Sequence, residues 1–580
     1  IQVNGTLNYK DTFKDKHNLD VMVGSEYFGY NEFMMEAKTQ NSPTDDIPTL
    51  NAGASRTSTK SEKTGYRIAS VFGRVNYNYQ MKYLLSLVAR YDGISRLKDN
   101  RWGFFPGVSV GWNVTEEDFW KESKISEVIS NIKPRLSYGV NGNVNGIGNF
   151  DIYGIYKQIG AGNYDGATAY YNSSLINTGL RWEQSRSFEA GLDLGFFNNR
   201  LSFIFDYYNR TTDDLLTDVN LPAYTGFSSM KTNLGKLRNS GFEMEVRANI
   251  LSNAKGFNWE VSANLTSVSN KVLKLPTSDK PFNQIDGYEV AAGLYNPETG
   301  ETPTKWIGGY REGGKLGDMV GYVQNHIFRD WNDVKANANM VIDEVANLYG
   351  PGMANEINPQ TGVTYAESNG WKPIEPGDVC WEDINKDGKI NSLDRAVVGN
   401  IFPKVTGGFS TTLSYKNWSL YARFDYALGH TIYNDLKARS LGQYQGQFNI
   451  IDKVHDTWSE TNPDTDLPVF TYADQLNKKN ITRSNNGNTA VDNNSSRFYE
   501  KGDYLALREI TLSYSLPKKW IGKAGMQDAS VYVTGQNLFY ITGYDGVSPE
   551  PAVSTVYGRG IDNGRYPTPR TLLFGLSVTF

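Results

Sequence analysis

One short stretch of the chain carries the residue types and spacing to hold a hard cation. In the run from Asp383 to Asp394, the side chains of Asp383, Asn385 and Asp387 stand at positions 1, 3 and 5 of a calcium loop. Gly388 at position 6 permits the sharp turn, Lys389 offers its carbonyl at position 7, and Asp394 closes the loop at position 12. Ca²⁺ takes oxygen ligands in number, and three carboxylates supply the charge. Asp in place of Glu at the closing position weakens bidentate closure. The competing explanation is an acidic Asp387-Gly388 turn between two loop strands, its charge balanced by Lys386 and Lys389. An ion here would stiffen the long 270–402 segment and would not catalyse.

A second chemistry is offered by aromatic side chains between the patterned segments: Tyr288, Tyr295, Trp306, Tyr310, Tyr322, Trp331, Trp371, Trp381, Tyr444, Trp458, Phe470 and Tyr472. Sugars present flat C–H faces to such rings, while Asn, Asp and Gln, abundant over 429–502, bond their hydroxyls. Large loops also need small cores of their own, and aromatics fill them. That second use outweighs the first for any single ring, so no cargo ligand is assigned. Catalytic residues are not indicated: there is no nucleophile elbow, no zinc-protease helix motif and no phosphate loop. One cysteine excludes a disulfide framework and Cys-based metal sites, and four scattered histidines form no cluster. A net charge of −5 gives no reason to expect nucleic acid.

The elements that position these groups alternate with a period of 2. Ile1, Val3, Gly5, Leu7 and Tyr9 oppose Gln2, Asn4, Thr6, Asn8 and Lys10; Trp418, Leu420, Ala422, Phe424 and Tyr426 oppose Ser419, Tyr421, Arg423 and Asp425. Such alternation marks strands with one apolar and one polar face. Fifteen segments read this way: 1–9, 19–28, 66–79, 82–92, 102–114, 132–141, 184–196, 201–211, 235–249, 257–269, 403–415, 418–428, 503–515, 528–540 and 571–580. Most have the length of a tilted strand that crosses a bilayer, about 9–11 residues. No run approaches the apolar length of a membrane-spanning helix.

The connections alternate in size. Short ones at 80–81, 197–200, 250–256, 416–417 and 516–528 interleave with long ones at 29–65, 142–183, 212–234, 270–402, 429–502 and 541–570; the 93–101 connection is a short member of the long class and 115–131 a long member of the short class. Short turns on one side and long loops on the other describe an outer-membrane-type barrel, with the turns periplasmic and the loops extracellular. Tyr77, Tyr79, Tyr83, Phe196, Tyr415, Trp418, Tyr514 and Trp520 crowd the short-turn ends, where an interfacial girdle belongs. A soluble all-β sandwich or propeller explains the alternation but not the two-sided asymmetry. The predicted fold class is therefore all-β, a transmembrane antiparallel β-barrel. An odd strand count and a start inside a strand predict the C-terminal portion of a longer chain, because open sheet edges are costly in lipid.

Several motifs carry a resemblance. Trp182-Glu183-Gln184 leads through Phe188 to Leu194, Asn199-Arg200-Leu201 and Asp206-Tyr207-Tyr208 to Asp214-Leu215-Leu216. Asn233-Leu234-Gly235 precedes Asn239 to Glu243; Pro376-Gly377-Asp378 precedes Asp383 to Gly388, Asp394-Arg395, Gly399 and Pro403. Tyr504 to Arg508, Thr511 to Pro517, Gln536 to Phe539, Tyr544-Asp545-Gly546 and Pro549-Glu550 follow. In order and spacing, from about residue 60 onward, these resemble the SusC/RagA family of TonB-dependent outer-membrane transporters of Bacteroidetes.

That resemblance implies a barrel of about 22 strands, a size within the known range of such barrels, with about 15 present here. It also implies an N-terminal plug, a SusD-like surface lipoprotein as lid, and energy from TonB–ExbB–ExbD acting through the plug. The plug and the first strands have no counterpart in these residues. Phe580 looks like the terminal aromatic that barrel assembly recognises. The implied activity is import of oligosaccharide or oligopeptide across a Gram-negative outer membrane, in contact with its lipid, and not enzymatic. The alternatives are a surface adhesin or structural barrel, a siderophore-type receptor, and an outer-membrane enzyme.

Overall fold

The structure is a computed structural model; it describes all residues except 155, 165–166, 279, 443–450, 471–494, 551–559 and 565. Fifteen strands pair in chain order in one antiparallel sheet. They are β1 (Gln2–Phe13), β2 (His17–Gln40), β3 (Ser55–Tyr79), β4 (Tyr83–Ile94), β5 (Trp102–Trp112), β6 (Ile129–Asn143), β7 (Glu183–Phe196) and β8 (Leu201–Asn220). The remainder are β9 (Ser229–Ala254), β10 (Phe257–Lys274), β11 (Val405–Tyr415), β12 (Trp418–Leu428), β13 (Tyr504–Ser515), β14 (Asp528–Thr542) and β15 (Thr571–Thr579). Every segment expected from alternation is present. The chain divides into two compact units, Ile1–Phe242 with Leu273–Pro276, and Glu243–Val272 with Thr277–Phe580.

In the first unit, tight turns reverse the chain at the expected ends. Phe13 pairs with His17 and Tyr79 with Tyr83. Lys14, Asp15, Gln80 and Met81 hold φ between 51° and 59°, the left-handed region in which each non-glycine residue costs about 1–2 kcal/mol. Pairing of the flanking strands offsets that cost.

Two expected loops are much shorter than the sequence suggested. β2 and β3 stay in register from His17–Tyr79 to Gln40–Ser55, with one irregularity at Lys38/Thr39, so 29–65 contracts to 41–54. The 212–234 segment is strand at both ends and leaves 221–228 as connection. In the outer stretch of β2 and β3 both faces are largely exposed, whereas the ends of β8 and β9 beside 221–228 are half-buried. Phe33, Met34 and Met35 follow one another without alternation, and backbone pairing alone continues the ladder. Where the long connections return, a core of Ile94, Leu97, Phe105, Val144, Ile147 and Trp182 ties them to the strands. The Trp182 indole donates to the Arg101 carbonyl at 3.0 Å, and its ring meets Phe105 edge-on at 5.2 Å. Gly142 is required here: a Cβ would lie 2.2 Å from the Phe105 ring.

In the second unit β10 pairs with β11 from Phe257–Tyr415 to Ser267–Val405, across the insertion between them. β11 and β12 are joined by Lys416-Asn417. Phe257 stacks on Tyr415 at 4.1 Å, and Trp418 lies 4.6 Å from Tyr514, so the expected girdle residues form neighbouring pairs at the turn end. The insertion folds as small sheets. Asp318–Tyr322 pairs with Arg395–Asn400, Gln324–Ile327 with Val379–Trp381, and Ile342–Asp343 with both Leu348–Tyr349 and Lys389–Ile390. Its helix α1 (Trp331–Ala338) starts where the Asp330 carboxylate accepts the amides of Asn332 and Asp333 at 2.8 and 2.9 Å.

Candidate functional site

The polar positions of the alternation become a strand-crossing network. In the first unit the Arg90 guanidinium on β4 donates to Asp92 at 2.7 Å, to Glu26 on β2 at 3.0 Å and to Ser70 on β3 at 2.9 Å. Arg135 on β6 bridges Asp193 on β7 at 2.9 Å and Asp206 on β8 at 2.8 Å. Ser86 donates to Asn76 at 2.7 Å and Asn18 to Asn78 at 2.8 Å. A hollow of about 380 Å³ opens over Asn76, Ser86, Lys133, Arg135 and Glu189, and another of about 520 Å³ over Arg74, Arg90, Asp92 and Asn141.

The second unit repeats the theme. The hydroxyls of Thr511 and Thr534 meet at 2.7 Å and those of Ser262 and Ser410 at 2.8 Å. Arg508 donates to Asp425 at 2.9 Å and to the Tyr540 hydroxyl at 3.0 Å, and pairs with Glu550. Arginines that bind carboxylates in two places fix neighbouring strands and leave donors and acceptors for a polar solute. None of these residues was given a site role from sequence, although Asp206, Asp425, Arg508, Thr511 and Glu550 stand in the strand patterns and motifs read there. The signal was present as charges on the polar positions, but the register that joins Glu26 to Arg90 was not readable.

The predicted calcium ligands are brought into one loop, each engaged by the backbone. Asp383 accepts the amide of Gly388 at 2.8 Å, Asp387 that of Lys389 at 2.8 Å, and Asp394 those of Ile384 at 2.9 Å and Asn391 at 2.8 Å. The Asn385 amide donates to Thr302 at 2.9 Å and to Asp387 at 3.0 Å, and Lys389 pairs with Glu344 at 3.5 Å. Among the described residues no three acidic, His or Cys side chains converge as a metal-holding group. Burial pushes the Asp394 carboxyl up to about 7, aided by the charges of Asp383 and Asp387 and opposed by its amide donors. Burial raises Asp383 as well.

The loop aromatics divide. Tyr322 and Trp381 are buried against each other at 6.3 Å, and Trp371 packs on Tyr365 at 5.0 Å, so these rings build cores. The Arg395 guanidinium covers Tyr288 at 4.5 Å and the Lys280 ammonium covers Trp306 at 4.7 Å. The Tyr295 amide donates to the Asn385 carbonyl at 2.7 Å, and the Trp458 indole to the Arg329 carbonyl at 3.2 Å. Tyr310 and Trp331 are exposed and Phe470 is half-buried; Tyr444 and Tyr472 lie outside the described residues. The single thiol, Cys380, is pushed up to about 12 by burial and is unreactive at neutral pH.

Against known proteins, the family model described as TonB dependent receptor-like, beta-barrel matches residues 2–538. TonB-dependent receptor P3 of Formosa agariphila is 30% identical over 99% of this chain and 52% of its own length. TonB-dependent receptor SusC of Bacteroides thetaiotaomicron is 29% identical over 90% of this chain and 45% of its own. The RagAB peptide transporter structure superposes with a TM-score of 0.72 at 23% identity, covering 100% of this chain and 55% of that one. The chain thus spans about half the length of the curated relatives it matches.

Proposed function

The chain belongs to the TonB-dependent receptor family of outer-membrane β-barrel proteins, and from that premise we propose that it forms barrel wall and outer loops of a nutrient importer. Its cargo is an oligosaccharide or an oligopeptide, taken up with a SusD-like lipoprotein as lid and with TonB–ExbB–ExbD energising a plug domain in the assembled protein. The observation that carries this reading is the sheet itself: apolar side chains on the alternating exposed positions, and Arg–carboxylate bridges and hydroxyl pairs on the other face. Such a wall suits a polar solute passing within and lipid without. The likeness to SusC and to a peptide transporter supports cargo of this size class.

The test is deletion of the gene followed by growth on defined oligosaccharides or oligopeptides as sole nutrient, with pull-down of the full-length protein from native membranes. Loss of growth on one cargo class and a co-purifying surface lipoprotein are expected. Unchanged growth on all of them, with reduced surface attachment, would establish the adhesin instead.

We propose further that Asp383, Asn385, Asp387, the Lys389 carbonyl and Asp394 take Ca²⁺. Support comes from the buried Asp394 and from Lys389 pairing with Glu344 in preference to the loop carboxylates. Millimolar Ca²⁺ should protect the insertion from protease in wild type and not in Asp387→Asn; equal cleavage with and without the ion removes the proposal.

A further inference from the structure

The short turns of the second unit differ in charge from those of the first. In the first, connections 14–16, 80–82, 113–128 and 197–200 hold six basic and six acidic residues, several of them paired. Lys82 meets Glu117 at 3.1 Å and Lys121 meets Glu116 at 2.7 Å. In the second, Lys255, Lys416, Lys518, Lys519 and Lys523 occupy the turns, and none of the five makes an ion pair with a described residue. All five are exposed.

Backbone hydrogen bonds place these turns side by side. The Lys416 amide donates to the Gly256 carbonyl at 3.3 Å, the Ser515 amide to Asn417 at 2.9 Å, and the Leu516 amide to Ala529 at 2.8 Å. Immediately beyond the turns, on the apolar face, runs an open groove of about 650 Å³. Its first row is Trp418, Tyr514, Val531 and Leu576, paired strand to strand, and Leu512 and Phe574 lie in the next. Trp520, in the last connection, is exposed at the same end.

We propose that this end of the second unit is a binding site for an anionic phospholipid. The lysines hold the headgroup, the aromatic row marks its depth, and the groove receives an acyl chain. The charge selects the occupant: a zwitterionic headgroup brings an ammonium against lysines that no described carboxylate neutralises (the Lys416 ammonium lies over the Tyr415 ring at 5.0 Å), while a phosphate or diphosphate headgroup neutralises them. Clustered lysines at a membrane surface attract anionic lipid in this way, and Trp and Tyr settle at headgroup level. The proposal rests on the reading that short turns face the periplasm, whose leaflet is built of phospholipid.

The test uses the delipidated full-length protein in detergent, titrated with cardiolipin or with phosphatidylethanolamine of the same chain length and read by native mass spectrometry. Cardiolipin should be retained about tenfold over phosphatidylethanolamine. The combined variant Lys416→Gln, Lys518→Gln, Lys519→Gln should lose about tenfold in that retention, and Lys121→Gln with Lys124→Gln, in the charge-balanced turn, should lose none. Heat-modifiable electrophoretic mobility verifies that each variant is folded, and Trp418→Ala supplies a second variant that weakens chain binding without changing charge. Equal retention of the two lipids, or an unchanged triple variant, overturns the proposal. Labelling of Lys518 by an impermeant amine reagent on intact cells would overturn the sidedness instead, so the two failures are distinguishable.

Discussion

Strands and insertion use the same apolar residues in opposite ways. On the strands they point outward: Leu7 is 80% exposed, Phe574 78% and Leu576 66%. In the insertion they close inward, with Val334 at 0% and Leu348 at 1%. What differs is the medium each region meets. A strand in lipid needs only apolar side chains on one face and paired backbone throughout, because hydrocarbon and leucine are equally apolar. A segment in water must remove its apolar area from solvent, at roughly 25 cal/mol per Å², and does so with small sheets packed around Trp371, Trp381 and Tyr322. Substitutions should therefore obey opposite rules in the two regions.

The largest effect is expected inside the insertion. Trp371 packs with Ile342, Tyr349 and Tyr365. Trp371→Ala should cost the insertion about 3–5 kcal/mol, seen as rapid limited proteolysis between 277 and 402, while the resistance of the strands to SDS at room temperature stays as in wild type. If the strands lost that resistance too, the two regions would be one cooperative unit and the contrast would fail.

A smaller effect is expected on the apolar face of β4. Leu87 lies mid-strand opposite Val75 and Val108, exposed at 43%. Leu87→Arg should destabilise the protein in lipid by about 2–4 kcal/mol, measured by urea unfolding in vesicles. Its neighbour Ser86 belongs to the polar face, and Ser86→Arg should cost far less. Equal costs would mean that the two faces meet the same medium.

These contrasts also explain what the sequence could convey. All fifteen strands were legible because a period of 2 survives wherever one face meets lipid and the other water, as in Tyr83, Leu85 and Leu87. The outer ends of β2 and β3 were not, because with both faces exposed side-chain pattern ceases to constrain the ladder; those of β8 and β9 were not, because Leu216, Asp214 and Asn233 there meet residues of the long connections, which interrupts the two-residue period. The insertion showed its Asp- and Asn-rich loop, since ligand spacing is local, but which rings would bury was invisible: Trp331 and Trp371 differ only in long-range packing. The Arg135 bridge was hidden for the same reason, as it joins Asp193 and Asp206 from two other strands.

The smallest effect distinguishes the regions by pH. Outside the strands Lys437 stands between Glu500 at 2.9 Å and Asp545 at 3.0 Å, with Lys453 at 3.6 Å from Asp545 and Tyr544 adjacent in sequence. Burial alone would lower the Lys437 ammonium, but the two carboxylates outweigh it and raise it. The hydrogen bond from Lys437 holds the Asp545 carboxyl below its ordinary range, against the opposing effect of burial. A depressed carboxyl stabilises the fold above its unfolded value and loses that contribution as pH falls through the folded one, below about pH 4. Asp545 is 57% exposed, so screening leaves only a few tenths of a kcal/mol. Acid titration should therefore loosen the contact between 437 and 545, seen as a falling hydrogen-exchange protection factor, with Asp545→Asn reducing that fall to the part that Glu500 supplies. The strand ladder beside Leu87, held by backbone pairing and lipid, should keep a constant protection factor across the same range.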